Sequence, residues 1–316
     1  MYIHLVDTHR KSLMPLSLTR PVSHLHIGVD RIIDKWKRHS SNDVGVVTAT
    51  YLSAIRDERP THGEHFAVSA ATLPTTELLT AMADLNAGDV LVKNGYSVAA
   101  RFDFDNVVEW RRKIDAEENL KPADFGPREI EYHAELHIVR GLSDIFAFND
   151  AVLRRDFSEI VESAVSSDLP HGVVARGKDI FIAPGATLHP CILNAETGPI
   201  YIGPGAEIME GAMIRGPFYL GDSAVVKMGA KIYGATSIAR ECRAGGELNN
   251  VVMHPYSNKG HDGFLGNSVL GSWCNLGADT NTSNLKNNYG TVRVWSYESD
   301  SFEDSGRQFH GLVMGD

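Results

Sequence analysis

The spacing of apolar residues divides the chain into two halves with different periodicity. In the first half, short β-type runs alternate with segments whose apolar residues recur at helical spacing. The β-type runs predict strands at residues 2–6, 44–48, 66–69, 90–93 and 97–102. The apolar stripes predict two helices, one containing Val29, Ile32, Ile33 and Trp36 and the other Leu78, Leu79, Met82 and Leu85. Strands separated by helices are typical of a three-layer, mostly parallel α/β sheet.

A further helix is predicted near the middle of the chain. Its inner face would consist of four apolar residues, Leu153, Phe157, Ile160 and Ala164. Asn149 or Asp150 would cap its N-terminus, because a short polar side chain can accept a hydrogen bond from the first free backbone N–H groups. The helix would end near Ser167 and link the two halves.

In the second half, aliphatic residues recur at a fixed interval of six. The main series is Ile202, Ile208, Ile214, Leu220, Val226, Ile232 and Ile238, with Ala244 last and with Ile182 and Leu188 in an earlier run. This period is typical of a hexapeptide-repeat parallel β-helix, in which each short strand forms one side of a triangular coil. Of the 29 glycines, 22 lie from residue 172 onward, where the corners of such coils need conformational freedom.

The change of pattern predicts two domains, residues 1–170 and residues 171–316. Within the second domain the six-residue rhythm breaks at residues 245–263 and again at residues 287–311. Insertions in a solenoid project as loops from one face, which is often the functional face. We therefore expect the chemistry to reside in these two segments.

Motifs in both halves indicate a family. In the second half they are residues 258–267 (NKGHDGFLGN), 270–271, 275–278 and 284–286, and elsewhere residues 15–22, 144–150 and 311–316. They resemble the GlmU-type bifunctional sugar nucleotidyltransferase/acetyltransferase family, in particular its sub-family of predicted sugar nucleotidyltransferases. The resemblance implies a nucleotidyltransferase-like domain, followed by a left-handed β-helix that acetylates an amino-sugar phosphate such as glucosamine 1-phosphate from acetyl-CoA. It also implies a homotrimer with acyl sites between neighbouring subunits.

His261 is the candidate base for acyl transfer, because an imidazole can accept a proton near neutral pH. In the family, the positions of Asn275 and Asn284 contact the sugar and the catalytic intermediate, although asparagine also stacks in ladders at solenoid corners. Phe264 stands where the family has a tyrosine, so the acceptor sugar could differ. Three cationic residues could hold the sugar phosphate, or could be ordinary surface charges: Lys259, Lys286 and Arg243.

The nucleotide site departs from the family pattern. Residues 7–12 (DTHRKS) follow the first strand, where the family has a Gly-rich phosphate loop, and Lys11 and Arg20 are the remaining candidates for phosphate contacts. No carboxylate for Mg²⁺ follows the strand at 90–93. Asp103 and Asp105 would share one face of a strand, either as a metal pair or as a solvated face. We expect this domain to bind a sugar nucleotide with little or no nucleotidyl transfer, and to need Mg²⁺ only if it is active.

Composition excludes several other classes of protein. The chain has 316 residues and a formal net charge of −10, which disfavours broad binding to nucleic acid or anionic membranes. Its three cysteines are an odd number, widely spaced and without a C-x-x-C pair, so neither a disulfide framework nor a zinc ribbon fits. Without a membrane-length apolar run or a leader peptide, we expect a cytoplasmic protein. Because residues 312–316 keep β-helix character, we also expect that the final coils are missing.

Three functions remain open at this stage. The first is a sugar-phosphate acyltransferase attached to a nucleotidyltransferase-like domain of doubtful activity. The second is an active sugar-1-phosphate nucleotidyltransferase whose β-helix serves assembly, and the third is a non-catalytic scaffold that binds a sugar nucleotide. The motif around His261 favours the first over the third, and the absent Gly-rich loop disfavours the second.

Overall fold

The computed structural model describes residues 2–40, 43–52, 64–102, 106–162 and 164–316, which pack into two compact units. Unit 1 consists of Met1–Leu25 and Arg31–Gly141, and unit 2 consists of His26–Asp30 and Leu142–Asp316. This division differs from the predicted domains, residues 1–170 and 171–316, because a helix that begins at Leu142 packs with the strands that follow it. No helix in the described segments is both long enough and apolar enough to cross a bilayer.

The first part of the chain forms a mixed sheet with helices. In chain order its elements are β1 (Tyr2–Val6), β2 (His26–Ile27), β3 (Asp30–Arg31), α1 (Ile32–His39), β4 (Asp43–Val47), β5 (His65–Ser69), α2 (Thr76–Ala83), β6 (Asp89–Lys93), β7 (Tyr96–Phe102), α3 (Asn106–Asp115) and β8 (Arg128–Glu131). The sheet order is β4-β1-β5-β7-β6-β8, and β7 alone among these strands runs antiparallel to its neighbours. The predicted, mostly parallel α/β sheet is confirmed.

Strand β1 lies inside the sheet of unit 1, next to the edge strand β4. All five of its residues are buried, as expected of a parallel strand covered on both faces. The chain places β4 on one side of β1 and β5 on the other, so that the strand order reverses at β1. In open α/β sheets, ligands bind beyond the carboxyl ends of the strands at such a reversal. The residues that follow β1 and β5 are therefore the first place to look for a site.

Unit 2 contains one long helix and a solenoid of short parallel strands. The elements are α4 (Leu142–Val161), β9 (Val174–Arg176), β10 (Ile180–Ile182), β11 (Thr187–Leu188), β12 (Ile192–Asn194), β13 (Ile200–Ile202), β14 (Glu207–Ile208), β15 (Met213–Arg215), β16 (Phe218–Leu220), β17 (Val225–Val226), β18 (Lys231–Tyr233), β19 (Thr236–Ile238), β20 (Arg243–Ala244), β21 (Glu247–Met253), β22 (Asn258–Lys259), β23 (Phe264–Leu270), β24 (Arg293–Ser296), β25 (Ser301–Asp304) and β26 (Val313–Met314).

Strand pairing confirms the predicted parallel β-helix. Leu220 pairs with Ile238, Ile214 with Ile232, and Val226 with Ala244, each eighteen residues further along the chain. Three six-residue segments therefore make one coil. The aliphatic residues of the six-residue series form one continuous buried cluster, and their burial from water is the main force that holds the coils together.

The two predicted interruptions have different structures. Residues 245–263 do not project as a loop, because β21 and β22 continue the solenoid; that prediction is wrong. The coils there are shorter: Ser237 pairs with Val252, and Val252 pairs with Val269. The second interruption, residues 287–311, does leave the solenoid, since it contains the antiparallel hairpin β24–β25 before β26 returns to pair with β23.

Helix α4 begins seven residues before the predicted cap, at Leu142, so that Asn149 and Asp150 lie inside it. Asn149 is fully buried, and its side-chain oxygen accepts hydrogen bonds from the Gly28 N–H at 2.8 Å and from the Ser237 hydroxyl at 3.1 Å. Its side-chain nitrogen donates to the Ala235 carbonyl at 2.7 Å. The amide therefore joins the helix to the solenoid instead of capping the helix, and the predicted cap is wrong.

His24, which is half-buried, lowers the stability of unit 1 in acid. Burial and the Arg31 guanidinium lower the pKa of His24 from 6.5 to about 4. The unfolded chain takes up this proton near pH 6.5, whereas the folded chain does so near pH 4, so His24 removes stability as the pH falls through that window. Asp7 acts in the opposite direction, because burial raises its pKa to about 6.

We expect His24→Gln to reduce the loss of unfolding free energy between about pH 7 and pH 5 by on the order of 1–2 kcal/mol. Urea unfolding followed by tryptophan fluorescence measures this loss, because Trp36 and Trp110 are both buried in unit 1. His133→Gln is the control, since that side chain is exposed. An equal pH dependence in wild type and His24→Gln would contradict the prediction.

Candidate functional site

Two pockets occur in the described residues at places that the fold and the sequence both single out. The strand-end pocket, in unit 1, has a volume of about 20 Å³ and lies beyond the carboxyl end of β1. It is lined by the segment after β1 and by residues at and after the end of α3, namely Asp7, Thr8, Arg10, Lys11, Met14, Ile114, Glu117, Glu118 and Asn119. The solenoid pocket, in unit 2, has a volume of about 520 Å³.

Asp7 is a structural acid in the strand-end pocket. One carboxylate oxygen accepts from the Val22 N–H at 3.0 Å and the other from the Thr48 hydroxyl at 2.5 Å. Burial nevertheless raises the pKa of Asp7 to about 6, despite these bonds and the nearby Arg10 charge. Asp7 therefore ties the segment after β1 to β4 and to the turn at Val22, with both oxygens already engaged.

Arg10 is the group in this pocket that sequence reasoning missed. Its guanidinium is buried, donates to the Tyr51 hydroxyl and stacks 5.1 Å from the centre of the Tyr51 ring. Within the described residues, its Nη1 has no hydrogen-bond acceptor. A buried cationic donor without a partner is costly unless an anion satisfies it. The signal available in the sequence is its place immediately after the first strand.

The other predicted nucleotide contacts are less favourably placed. Lys11 lines the strand-end pocket, where its ammonium lies 3.7 Å from the Glu117 carboxylate. Arg20 is half-buried and does not line the pocket. Glu117 and Glu118 bring negative charge to the same wall, which opposes the approach of a triphosphate.

The described residues do not fit a magnesium site. Across residues 2–40, 43–52, 64–102, 106–162 and 164–316, no group of three histidine, cysteine, aspartate or glutamate side chains is arranged to hold a metal ion. Asp103 and Asp105, the predicted metal pair, lie outside the described residues. Since Asp7 is engaged in hydrogen bonds, we derive no step through Mg²⁺.

The solenoid pocket combines aromatic rings with side-chain amides. Its lining comes from α4, from one corner of the solenoid and from the second interruption, and comprises Phe146, Ala147, Asp150, Tyr233, Gly234, Ala235, Asn249, Asn250, Phe264, Asn267, Asn284 and Phe309. No lysine or arginine is among these twelve residues. Convergent amides between apolar rings suit a ligand that carries many hydroxyl groups.

An asparagine ladder forms the floor of this pocket. Asn250, Asn267 and Asn284 are spaced by seventeen residues, which is the length of the coils here. The Asn284 amide donates to the Asn267 side-chain oxygen at 2.6 Å. In the orientation that gives both its oxygen and its nitrogen a hydrogen-bond partner, the Asn250 amide accepts from the Asn267 side chain at 3.0 Å and donates to the Phe146 carbonyl at 2.9 Å. Asn250 and Asn267 also adopt left-handed φ angles of 57° and 45°, which asparagine tolerates better than most residues.

Two side chains at the mouth of the pocket carry ionisable groups. Tyr233 donates its hydroxyl hydrogen bond to Glu247, and this bond raises the pKa of Tyr233 to about 12. Asp150 accepts from Arg154 at 2.7 Å. The phenol of Tyr233 therefore stays neutral at neutral pH.

Of the predicted acyl-site residues, the structure brings Phe264 and Asn284 together. A Cβ atom built on Gly266 would lie 2.6 Å from Phe264 Cζ and 2.7 Å from Asn284 Nδ2, so both side chains pass over this glycine. His261 is exposed on the corner between β22 and β23 and does not line the pocket. His261 comes just before residues 264–266 in the chain, whereas Asn267 of the asparagine ladder comes just after them.

The remaining predicted residues lie away from the pocket. Lys259 is fully buried, and its ammonium donates to two backbone carbonyls, so it does not present a charge to a phosphate. Asn275 accepts from the Asn258 amide at 2.6 Å in a second ladder outside the pocket. Lys286 donates to the Thr291 carbonyl at 3.1 Å and Arg243 to the Glu241 carbonyl at 3.5 Å, and both side chains are exposed.

Comparison with known proteins gives one match. Residues 2–164, just over half of the chain, match the model of a family described as "Sugar nucleotidyl transferase". The match runs through unit 1 and past the end of α4, and stops before the solenoid. Comparison with curated proteins finds no match.

The packing over Gly266 predicts the effect of a methyl group there. We expect Gly266→Ala to displace Phe264 and Asn284 and to lower the unfolding free energy of unit 2 by about 1–3 kcal/mol. Gly277→Ala is the matched control, since its Cβ would meet nothing closer than Thr280 Oγ1 at 4.0 Å. Calorimetric unfolding of both variants decides this, and equal melting temperatures would contradict the described packing.

Proposed function

We propose that this chain, which belongs to the sugar nucleotidyl transferase family, is a transferase of nucleotide-sugar biosynthesis and carries two sites. In this proposal, unit 2 transfers an acyl group from acetyl-CoA to an amino-sugar phosphate such as glucosamine 1-phosphate. Unit 1 binds a sugar nucleotide and transfers nucleotidyl groups weakly or not at all. The observation that carries the acyl-transfer part is the solenoid pocket, with its amide ladder and aromatic walls beside the strand that follows His261.

The sugar ring would occupy the solenoid pocket. Amide groups can donate to and accept from hydroxyls, and the rings of Phe146, Phe264 and Phe309 offer apolar faces to the carbon skeleton. The absence of lysine and arginine from the lining argues that the phosphate points out of this pocket rather than into it. Phe264 lacks the hydroxyl of the family's tyrosine, so the hydrogen bonds to the sugar would come from the amides.

His261 would act as the base. Its imidazole takes a proton from the acceptor amine while the nitrogen attacks the thioester carbonyl of acetyl-CoA. The tetrahedral intermediate then collapses, the carbon–sulfur bond breaks, and the imidazolium returns the proton to the leaving thiolate. The products are the N-acetylated sugar phosphate and free CoA, with no covalent intermediate on the enzyme.

A homotrimer would complete the site. In one chain, His261 and the asparagine ladder lie at different corners of the solenoid, on either side of residues 264–266. A neighbouring copy that contributes its own corner can bring a base to a sugar bound in the next chain. This arrangement follows the resemblance to GlmU-type proteins and explains why a single chain separates the two groups.

Unit 1 supports anion binding better than it supports catalysis. Within the described residues, the Nη1 of buried Arg10 has no hydrogen-bond acceptor, and Arg10 and Lys11 both line the strand-end pocket, which favours a phosphate group there. The pocket holds only about 20 Å³ and includes two glutamates. The family match itself favours the second candidate function, active nucleotidyl transfer, and this candidate is tested separately below.

Removal of the base tests the acyl-transfer proposal. We expect His261→Ala to lower kcat for acyl transfer from acetyl-CoA to glucosamine 1-phosphate by about 10²–10⁴-fold, the usual contribution of general acid–base catalysis. The rate is measured as the appearance of the free thiol of CoA. His171→Ala, an exposed histidine just before the first coil, is the matched control and should keep full activity. If His261→Ala turns over at the wild-type rate, the assignment fails.

Pyrophosphate release tests the role of unit 1. With UTP or dTTP, hexose 1-phosphates and Mg²⁺, we expect little or no turnover, but we expect a UDP- or dTDP-sugar to raise the melting temperature. Arg10→Met should reduce this rise, because it removes the unsatisfied donor. Robust pyrophosphate release would establish the second candidate function instead. If neither acetyl-CoA nor any sugar nucleotide stabilised the chain, both proposed sites would be contradicted.

A further inference from the structure

Lys259 occupies a position inside the solenoid where the other coils have aliphatic residues. The inward positions of this face are, in successive coils, Leu188, Ile208, Val226, Ala244, Lys259 and Leu276. Lys259 is fully buried, and its stem lies in the stack beside the small Ala244. An ammonium taken out of water is costly unless its hydrogen bonds compensate. A leucine, as at position 276, would fill this stack without that cost.

The ammonium of Lys259 binds two consecutive corners of the solenoid. Its Nζ donates to the His261 carbonyl at 2.5 Å and to the Gly245 carbonyl at 3.2 Å. Gly245 lies at the corner of the preceding coil, and its N–H in turn donates to the Lys259 carbonyl at 2.7 Å. Burial lowers the pKa of Lys259, while the neighbouring carboxylate of Asp262 acts in the opposite direction.

The corner at residues 260–263 has no buried side chain of its own. His261 and Asp262 are exposed, and the other two residues are glycines. A Cβ atom at Gly246 would lie 2.9 Å from the His261 carbonyl oxygen, and one at Gly263 would lie 2.3 Å from the Thr280 carbonyl oxygen. Successive corners therefore stack backbone on backbone. The buried ammonium of Lys259 donates a hydrogen bond to the His261 carbonyl of this corner.

We propose that Lys259 is the positioning residue of His261. Its ammonium holds the His261 carbonyl and thereby sets the direction in which the imidazole leaves the corner. This role accounts for a lysine in an aliphatic stack, because an apolar residue would fill the space and leave the corner free to move. The consequence for catalysis rests on the proposed acyl transfer, whereas the positioning itself can be measured without it.

The variant Lys259→Met tests the proposal, because methionine keeps an unbranched apolar side chain in the stack and removes the donors. Leu276→Met is the matched control, since it introduces the same side chain into the same stack without the loss of an ammonium. In protein labelled at the histidine ring carbon, the His261 signal is assigned by its loss in His261→Ala. We expect this signal to shift and broaden in Lys259→Met and to remain in place in Leu276→Met.

Kinetics provide a second measurement. We expect Lys259→Met to lower kcat for acyl transfer at least ten-fold with KM for the acceptor unchanged, because the base is displaced while the solenoid pocket stays intact. If the wild type shows no acyl transfer, the proposed function fails and the spectra still decide the positioning. If the His261 signal of Lys259→Met coincides with that of the wild type, the positioning role is overturned, whatever the activity.

A titration of the wild type covers the case in which Lys259→Met does not fold. The ring signal of His261 should show a step at high pH with the same midpoint as the Lys259 side-chain carbon, and His171 should show none. Asp262 and Lys227 also carry ionisable groups near this corner. The step must persist in Asp262→Asn and in Lys227→Gln. A His261 signal without the step overturns the proposal.

Discussion

Backbone pairing between consecutive coils places each residue of the solenoid against its equivalent one coil away. Val226 lies against Ala244, and Ala244 lies against Lys259. The same type of side chain therefore tends to recur at equivalent positions along an edge or a face of the solenoid. A residue of a different type differs visibly from its neighbours in the adjacent coils. The asparagine ladder and the stacked glycine corners follow from this constraint, and the buried lysine is the exception to it. The solenoid pocket has its amides because one edge repeats asparagine in three successive coils.

Much of the fold was predictable, because each predicted element rests on a local pattern. The five predicted strands of unit 1 agree with the structure to within about one residue at each end, whereas the short strands β3 and β8 and helix α3 were not predicted. The six-residue period identified the β-helix. The prediction failed at residues 245–263 for two physical reasons. The coils there are shorter, with single asparagines turning two of their corners, and the inward position at 259 holds a lysine. The six-residue pattern was recognised by its aliphatic residues, so it can no longer be followed in the sequence where a charged residue occupies an inward position.

The site was predictable in part. Phe264 and Asn284, two of the predicted residues, line one pocket. The sequence did not reveal that His261 occupies a different corner, since a signature gives order along the chain and not the angle around the coil. Lys259 was expected either to hold the sugar phosphate or to be an ordinary surface charge, and its burial was not foreseen because lysine is rarely buried. Arg10 was missed because its significance depends on the burial of its guanidinium, which a single arginine after a strand does not indicate. The start of α4 was missed because Asn149, a good capping residue, makes tertiary bonds instead.

The hairpin β24–β25 is inserted in the chain between β23 and β26. The insertion leaves the pairing of these two strands unchanged, since Leu270 still pairs with Met314. The entropy needed to close such an excursion grows only slowly with its length. The same excursion delivers Phe309 to the pocket wall. Exchange of this one segment would therefore change one wall of the pocket while the coils on either side of it keep their pairing.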